Sequence, residues 1–394
     1  MRRFKRALTA CALVLAAAAG TVGWAWGEVQ PAVTGPPPGA AAWTADHVFG
    51  RPLPDPATAS PARVARFFAG LTADQRTRLI ARHPLVAGNL DGAPAGLRYA
   101  ANARALTAAR DGELARAADP ARDAGDRRRA RARAAAYGAL LTPGRRILAF
   151  DPRGRGQVAE VYGDLGTARR VAVVVPGSDT DLVSYGATAR MARNLRDEMA
   201  RQSPRTNRAV IAWVGYTTPV GVGYDAATGR LAEKGAPRLE RFLDGLAATT
   251  RTSVPPAVFC HSYGSVLCGI AAHRLTGRQV SDLVVAASPG MRTDNAGQLR
   301  LGTRLWATAR DTTDWVRRVP AVELFGLGHG TDPADSGFGA RVVSSDRAEG
   351  HTGYFEPGTG SLRNFADIAL GHYRAVSCAH PTPQPSEDCR HDLL

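Results

Sequence analysis

The sequence predicts an α/β fold, with a mostly parallel sheet of about eight strands and helices on both faces. After about residue 145, short apolar runs alternate with helical stretches. Several runs are continuous and rich in β-branched residues, which is typical of strands buried on both faces. Alternating strands and helices indicate a parallel sheet between two helical layers. The 394 residues, of which 44% are apolar, are enough for one large domain with an additional segment.

The first residues indicate a targeting segment. MRRFKR is positively charged, and about twenty uncharged residues follow it, ALTACALVLAAAAGTVGWAW. This pattern fits a cleaved signal peptide, with Ala25 and Gly27 at a candidate cleavage site, and it also fits an uncleaved membrane anchor. Both alternatives place the rest of the chain outside the cytoplasm, either secreted or held at the cell envelope.

The cysteine content agrees with export. Cys11 belongs to the targeting segment, which leaves four later cysteines: Cys260, Cys268, Cys378 and Cys389. An even number in an exported chain predicts two disulfides, and three pairings are open. We favour the local pairing, Cys260 with Cys268 and Cys378 with Cys389. The alternative for Cys260 and Cys268 is that both are small buried apolar residues.

Composition divides the chain into segments. Proline, alanine and glycine dominate the stretch before residue 63, which predicts a linker or an extended strap. Apolar residues then recur at spacings of three and four from Val64, and Thr72 with Gln75 matches a capping box. The predicted segments are a signal peptide or anchor (1–27), a linker (28–62), a helical segment packed on the later domain (63–144), an α/β domain (145–377) and a C-terminal tail (378–394).

The net charge of +15 does not by itself indicate a nucleic-acid partner. Lys5 and Lys234 are the only lysines, and joint enrichment of arginine, alanine and glycine is typical of a GC-rich genome. The densest run, RRRARAR at 127–133, has no interleaved aromatic residues to stack on bases, so it predicts a solvated helix face. We therefore expect no nucleic-acid partner.

Eight apolar runs predict the strands in order. They are RRILAFDP, QVAEVYGDL, ARRVAVVVPG, NRAVIAWVGY, PPAVFCHS, SDLVVAASPG, TRLWATARD and AVELFGLG. The first two are close together, which indicates an antiparallel start. Helices are predicted over 184–201, 237–250, 263–276 and 362–375, and the segment 223–245 is a candidate lid.

FCHSYGSVLCG at 259–269 places Ser262 where a strand meets a helix. Such a turn lifts the serine oxygen above the sheet edge, near the helix N-terminus and the next backbone N–H. The turn favours small residues two places before and after the serine: Gly264 fits, and Cys260 replaces a glycine. Taken alone, the motif also fits a structural turn without chemistry. His261 is expected to point away from the serine face and to pack or support the site.

An oxyanion hole needs a second N–H beside that of Tyr263. VAVVVPGSDTD at 171–181 ends a predicted strand at Gly177, where a glycine lets the backbone approach a substrate closely. Ser178 or Asp179 is the candidate amide, and Asp179 also fits a helix cap.

The acid is expected after a later strand. LWATARDTTDWV supplies Asp314, which we favour, and Asp311 as a reserve; the other is expected to be a turn former. His351, in the glycine-flanked segment EGHTGYF, is the predicted base, with His329 and His372 as rivals. The order Ser262, Asp314, His351 matches that of α/β-hydrolases.

Five segments together resemble an uncharacterised actinobacterial α/β-hydrolase family of exported, serine hydrolase-like proteins. The segments are FCHSYGSVLCG, VVPGSDTD, ATARDTTDWV, FGLGHGTDP and GHTGYF. The resemblance covers about residues 60–377 and implies the α/β-hydrolase fold, with catalytic roles for Ser262, His351 and Asp314. It implies no particular substrate. Cys260 departs from the general GxSxG pattern and leaves the local packing open.

The predicted function is hydrolysis of an ester or related acyl substrate, a small molecule or a lipid, through a Ser-His-Asp triad and an acyl-enzyme. No cofactor is implied, the membrane is involved only through the possible anchor, and the oligomeric state is open. The alternative is a non-catalytic, exported cell-envelope binding protein that retains the fold.

Two other classes receive less support. GRGQVA at 154–159 and GVGYDA at 221–226 fit the nucleotide-binding spacing GxGxxA, but neither follows a first strand and opens a helix. His329, Asp332 and Asp335 are potential metal ligands, yet they lie in a stretch rich in turn formers. We therefore expect no metal.

Overall fold

The structure is a computed structural model that describes residues 29–252, 254–379 and 388–393. The predicted targeting segment, residues 1–27, lies outside the described residues. Among the residues that are described, no helix is both long enough and apolar enough to cross a membrane.

Six helices precede the sheet in the described part of the chain. They are α1 (Ala40–Thr44), α2 (Pro61–Ala69), α3 (Ala73–Arg82), α4 (Pro84–Asn89), α5 (Ala95–Ala118) and α6 (Ala124–Leu140). At the start of α3, the Thr72 hydroxyl accepts from the Gln75 N–H and the Gln75 side chain accepts from the Thr72 N–H. The predicted capping box is therefore present.

The proline-rich stretch before α2 forms hydrogen bonds with the α/β domain and buries one aromatic side chain. The Gln30 N–H donates to Asp225, and the Arg153 guanidinium donates to the carbonyls of Thr34 and Gly35. Trp43 in α1 is fully buried, and its indole N–H donates to the carbonyl of Pro54. The stretch is therefore a strap that lies against the α/β domain. Of the two alternatives predicted for it, a linker or an extended strap, these contacts favour the strap.

The N-terminal helices close one edge of the sheet. Asn89, at the end of α4, donates to the carbonyl of Phe150 and accepts from the Phe150 N–H, so its amide pairs with the first strand as a neighbouring strand would. Asn102 in α5 donates to the carbonyl of Ile147. Apolar side chains of α5, α6 and the first strands form one buried cluster around Tyr137 and Phe150.

The α/β domain contains ten strands and five further helices in the described residues. The strands are β1 (Ile147–Asp151), β2 (Gln157–Gly163), β3 (Arg170–Val175), β4 (Arg208–Val214), β5 (Ala257–His261), β6 (Asp282–Ala286), β7 (Arg304–Thr308), β8 (Glu323–Leu324), β9 (Leu327–Gly328) and β10 (Arg341–Val343). The helices are α7 (Gly186–Gln202), α8 (Tyr224–Ala227), α9 (Arg230–Thr249), α10 (Gly264–Ala272) and α11 (Gly360–Leu370).

Eight of these strands form one sheet in the order β1-β2-β4-β3-β5-β6-β7-β10. β2 is antiparallel to both β1 and β4, and the remaining neighbours are parallel. This is the α/β-hydrolase fold, so the predicted fold class is confirmed, including the antiparallel start.

Two apolar cores flank the sheet, because successive strand residues point to opposite faces. On one face, Val173 and Val175 of β3 pack in the core that contains α9 and α10. On the other face, Ala172 and Val174 pack with side chains of α7 and α11. Burial on both faces explains why the strands are continuous apolar runs in the sequence.

Two predictions about this domain were wrong. AVELFGLG is not the eighth strand of the sheet: it forms the separate antiparallel hairpin β8–β9, whose turn contains Phe325 and Gly326 at φ of 51° and 83°. The eighth strand is instead β10, which has three residues and gives little signal in a sequence. The segment 223–245 is not a lid over most of its length, because α9 starts at Arg230 rather than 237 and buries Ala232 and Leu239 in the core on one face of the sheet.

Candidate active site

Ser262 lies in a sharp turn between β5 and α10. Its φ of 55° is in the left-handed region, which is costly for a residue with a side chain. Two bonds fix the turn: the Ser262 N–H donates to the carbonyl of Ala286, and the Ser265 hydroxyl donates to the carbonyl of Ser262. A serine held in this conformation at the end of a central strand has the geometry of a nucleophile turn.

Small residues around the serine are a steric requirement. A β-carbon on Gly264 would lie 2.7 Å from the carbonyl oxygens of Val175 and Pro176. Cys260 is accommodated where many such turns carry glycine, because its side chain faces α10 and is bonded to Cys268. The disulfide therefore joins the strand before the serine to the helix after it.

Both disulfides follow the local pairing predicted from the sequence. Cys260 is bonded to Cys268, and Cys378 is bonded to Cys389. Disulfides are compatible with an oxidising, extracytoplasmic location. In the described ranges, one cluster of potential metal ligands combines Cys378, Asp388 and Cys389, but its sulfurs are in the disulfide and are not thiolates.

Removing the disulfide beside the serine is expected to destabilise the fold. Because the bond closes a loop between residues separated by eight positions, the variant C260A/C268A should lose about 2–3 kcal/mol of unfolding free energy. Urea unfolding measures the loss. The matched control, C378A/C389A, opens a loop with a separation of 11 and should lose a similar amount. Unchanged unfolding of C260A/C268A would contradict this expectation.

The structure brings Ser262, His351 and Asp314 together. The Nε2 atom of His351 lies 2.8 Å from Oγ of Ser262, and its Nδ1 atom lies 2.9 Å from Oδ1 of Asp314. These distances are those of hydrogen bonds, and together they form one chain from the hydroxyl to the carboxylate.

Asp314 is held as an anion. Burial acts to raise the pKa of its carboxyl, but hydrogen bonds from His351, the Val316 N–H and the Tyr354 hydroxyl outweigh burial and lower the pKa below its usual value. The Tyr354 hydroxyl donates to Oδ2 at 2.9 Å, so both carboxylate oxygens have donors. Sequence reasoning missed Tyr354; its only signal was its position three residues after His351.

Asp311, the reserve acid, has a different position. Its Oδ1 accepts from the backbone N–H of Gly350 at 3.1 Å and from the N–H and hydroxyl of Thr313. Its own N–H donates to the Tyr354 hydroxyl. Asp311 therefore shapes the loop that presents His351, and it is Asp314 that contacts the imidazole.

His261 lies behind the triad. Its Nε2–H donates to the backbone carbonyl of His351 at 2.7 Å, and the two rings are 4.9 Å apart. Burial, and then the neighbouring His351, lower the pKa of His261 to about 4, so it is neutral at physiological pH. The expected supporting role agrees with this geometry, since the bond fixes the backbone of the histidine that contacts the serine.

One of the predicted oxyanion-hole residues lies directly against the serine. Gly177 packs so closely that an added β-carbon would lie 2.5 Å from Cβ of Ser262 and 3.0 Å from the backbone nitrogen of Tyr263. Among the described residues, neither the Tyr263 N–H nor the Ser178 N–H has a hydrogen-bond acceptor. Both N–H groups therefore stay the candidate donors of an oxyanion hole.

Both alternatives for Asp179 were wrong. Its N–H donates to the carbonyl of Pro219 at 2.8 Å, so the amide is not available to a substrate. Its carboxylate accepts from the Gly221 N–H rather than capping a helix. Asp179 has a φ of 61°, in the left-handed region, and both of its bonds go to the loop after β4.

The rival histidines have other partners. His329 is buried, its Nε2 contacts the carbonyl of Ala226 at 2.7 Å, and burial lowers its pKa to about 4. His372 lies 3.9 Å from Asp367. The other two residues considered as metal ligands are engaged as well: Asp332 pairs with Arg310, and Asp335 accepts from the Gly337 N–H.

The serine is only 8% exposed, at the carboxyl edge of the sheet. A cavity of about 1330 Å³ lies at the opposite edge, where it is lined by the amino ends of β6, β7 and β10. That cavity is therefore remote from the serine.

Sequence comparisons agree with the fold. The model of a family described as alpha/beta hydrolase matches residues 151–324, which include Ser262 and Asp314 but not His351. Two uncharacterised proteins from two strains of Mycobacterium tuberculosis are 32% identical over 395 residues, covering 84% of this chain and 59% of each relative. The chain thus spans about three fifths of the length of these relatives.

Solved structures with similar folds are distant. The crystal structure of 2,6-dihydroxy-pseudo-oxynicotine hydrolase has a TM-score of 0.37 and 12% identity, covering 88% of this chain and 98% of its own. Esterase PE8 has a TM-score of 0.32 and 17% identity, over 53% and 96%. Est1E from Butyrivibrio proteoclasticus has a TM-score of 0.31 and 10% identity, over 58% and 99%.

Proposed function

We propose that this chain, which has the α/β-hydrolase fold, is a serine hydrolase that cleaves an ester or related acyl substrate. The observation that carries the proposal is the continuous hydrogen-bonded chain from Ser262 through His351 to Asp314. It starts at a serine in a left-handed turn, which a purely structural turn would not require. The match of residues 151–324 to an alpha/beta hydrolase family supports the same reaction class.

Acylation proceeds from the serine hydroxyl. Because Asp314 accepts the Nδ1–H of His351, the lone pair of the imidazole is on Nε2, facing Oγ of Ser262. Nε2 takes the hydroxyl proton as Oγ bonds to the acyl carbon, and the carbonyl oxygen becomes an oxyanion. The same proton is then given to the leaving alcohol, and the acyl group stays on Ser262.

Deacylation repeats these steps with water. His351 takes a proton from water, the hydroxide oxygen bonds to the acyl carbon, and the Ser262 oxygen leaves with that proton. The N–H groups of Tyr263 and Ser178 stabilise the oxyanion in both halves of the reaction. Asp314 stabilises the imidazolium each time it forms.

We place the reaction outside the cytoplasm. The two disulfides support this location, since such bonds are rare in reducing compartments. The N-terminal segment of residues 1–27 supplies the export signal or the anchor.

A fluorophosphonate probe tests the proposal. We expect the probe to label the purified protein at Ser262, identified by peptide mass spectrometry, because the triad makes this hydroxyl nucleophilic. Ser262→Ala should abolish labelling, whereas Ser336→Ala, at an exposed serine of the cavity at the opposite edge of the sheet, is the matched control and should retain it. Circular dichroism checks that each variant is folded.

Two results would reject the serine mechanism. One is the absence of labelling in folded wild-type protein, which would favour the binding-protein alternative. The other is labelling that persists in Ser262→Ala.

A further inference from the structure

Exposed apolar side chains are concentrated around the proposed catalytic serine. In the residues that the structure describes, twelve large apolar side chains are substantially exposed, and nine of them lie in three connections of the sheet. These connections follow β3, β4 and β7. We call this set the apolar collar. Its members include Val183, Val220, Val222, Tyr224, Trp315 and Phe325.

The topology of the sheet brings the collar to the mouth of the active site. β3, β4 and β7 run in the same direction as β5, so their following connections emerge at the carboxyl edge, where Ser262 also lies. The connection after β4 is bonded to the oxyanion loop through Asp179, which contacts both Pro219 and Gly221. The ring of Trp315 lies 4.6 Å from that of His351. The collar therefore borders the triad through Trp315.

The hairpin β8–β9 is the most prominent part of the collar. Phe325 at its tip is 95% exposed, with a φ of 51° in the left-handed region. Leu327 bridges to Thr228, whose carbonyl accepts the hydroxyl of Tyr263, the residue after the nucleophile. An aromatic side chain held in water on a conformationally costly turn points to a binding role rather than a folding role.

Two exposed arginines beside the collar are suited to contact with an anionic surface. Arg317 and Arg318 are exposed and follow Trp315 in the same short helical turn. The carboxylate of the hairpin, Glu323, is paired with Arg292 at 2.9 Å, so its charge is offset. Tryptophan next to arginine is the combination found where proteins enter the interface of a lipid layer.

We infer that the apolar collar docks on an anionic lipid surface and that the substrate is an acyl ester presented by that surface. The inference rests on the proposed function, and it names the substrate class of the same site. Ser262 is only 8% exposed and is bordered by the collar, so a collar docked on lipid holds the entrance of the site against the lipid surface. An acyl ester at that surface then reaches the serine without first dissolving in water.

Vesicle binding tests the surface independently of turnover. We use the full chain carrying Ser262→Ala and measure co-sedimentation with vesicles of phosphatidylglycerol and phosphatidylcholine, and with vesicles of phosphatidylcholine alone. Adding Phe325→Asp should weaken binding roughly 10- to 100-fold, because one large side chain no longer enters the lipid. Adding R317Q/R318Q should reduce the preference for the anionic vesicles by roughly 10- to 30-fold, since each arginine near such a surface contributes about 1 kcal/mol. Leu114→Asp, at a half-exposed leucine of α5 outside the collar, is the matched control and should leave binding unchanged.

Turnover tests the substrate class. In the chain that retains Ser262, we compare hydrolysis of a long-chain ester held in the same vesicles with hydrolysis of a short soluble ester. Phe325→Asp should lower the ratio of the two rates roughly 10- to 100-fold, and Leu114→Asp should preserve it.

Three outcomes would overturn the inference. If the Phe325→Asp variant binds vesicles with the same affinity as the protein that retains Phe325, the collar is not the docking site. If a fluorophosphonate labels Ser262 but the protein binds neither vesicle, the lipid assignment fails and the serine-hydrolase proposal stands. If the vesicles bind but wild-type protein is not labelled, the proposed function fails, and the lipid substrate fails with it.

Discussion

Replacing Asp314 with asparagine is expected to lower the kcat of ester hydrolysis by roughly 10⁴-fold. The carboxylate lies 2.9 Å from Nδ1 of His351 and holds the imidazole in the tautomer that leaves Nε2 free to accept the serine proton. An amide at this position can donate to Nδ1 and favour the other tautomer, and it carries no charge to stabilise the imidazolium. The effect should fall on kcat far more than on KM, because it concerns groups that act during the reaction. Steady-state kinetics with a short soluble ester measures both constants.

Asp311→Asn is the matched control for this substitution. Asp311 lies three residues away in the same loop, and its Oδ1 accepts from the Gly350 N–H. Asparagine keeps an oxygen that can make this bond, so we expect a loss of roughly tenfold or less. Equal losses in the two variants would contradict the assignment of Asp314 as the triad acid.

The choice between these two aspartates shows how far the site can be predicted from the sequence alone. The motif around Ser262 and the order of serine, acid and histidine were sufficient to select a small set of residues. Asp311 and Asp314 belong to one turn, and their residue types and surroundings are nearly the same in the sequence. Which carboxylate faces His351 depends on the path of the backbone, and the structure places Asp314 there.

Residues that act through other residues were harder to find. The Tyr354 hydroxyl donates to the carboxylate of Asp314, and the His261 N–H donates to the backbone carbonyl of His351. Neither contact leaves a spacing or periodicity in the sequence, because the partners are 40 and 90 residues away along the chain. The sequence placed His261 behind the serine but did not indicate which atom it would contact.

The error in the eighth strand has a physical origin as well. AVELFGLG is longer than RVV of β10 and contains more apolar residues, and long apolar runs are expected to be buried. In the structure, the apolar hairpin is exposed and the short run completes the sheet. The pattern that misled the strand prediction is therefore the same feature that supports a lipid-binding collar: an apolar segment for which the fold provides no interior partner.

Gly177→Ala is expected to lower kcat by roughly 10²- to 10³-fold, the loss associated with removal of one oxyanion donor. The added methyl group would lie 2.5 Å from Cβ and 2.9 Å from Oγ of Ser262, so the loop carrying Ser178 has to move away from the serine. That movement separates the Ser178 N–H from the Tyr263 N–H and enlarges the space in which the oxyanion forms. Steady-state kinetics measures the loss, and thermal unfolding shows whether the variant remains folded.

Gly186→Ala is the control for the same change of residue. Gly186 begins α7 at the end of the same connection, and a β-carbon there meets no atom within 4 Å. Its kcat should equal that of the wild type, and its unfolding temperature should not fall, since alanine is the better helix former. Wild-type kcat in folded Gly177→Ala would show that the loop after β3 does not supply the second donor. The oxyanion would then depend on the Tyr263 amide and on groups that the substrate itself brings to the site.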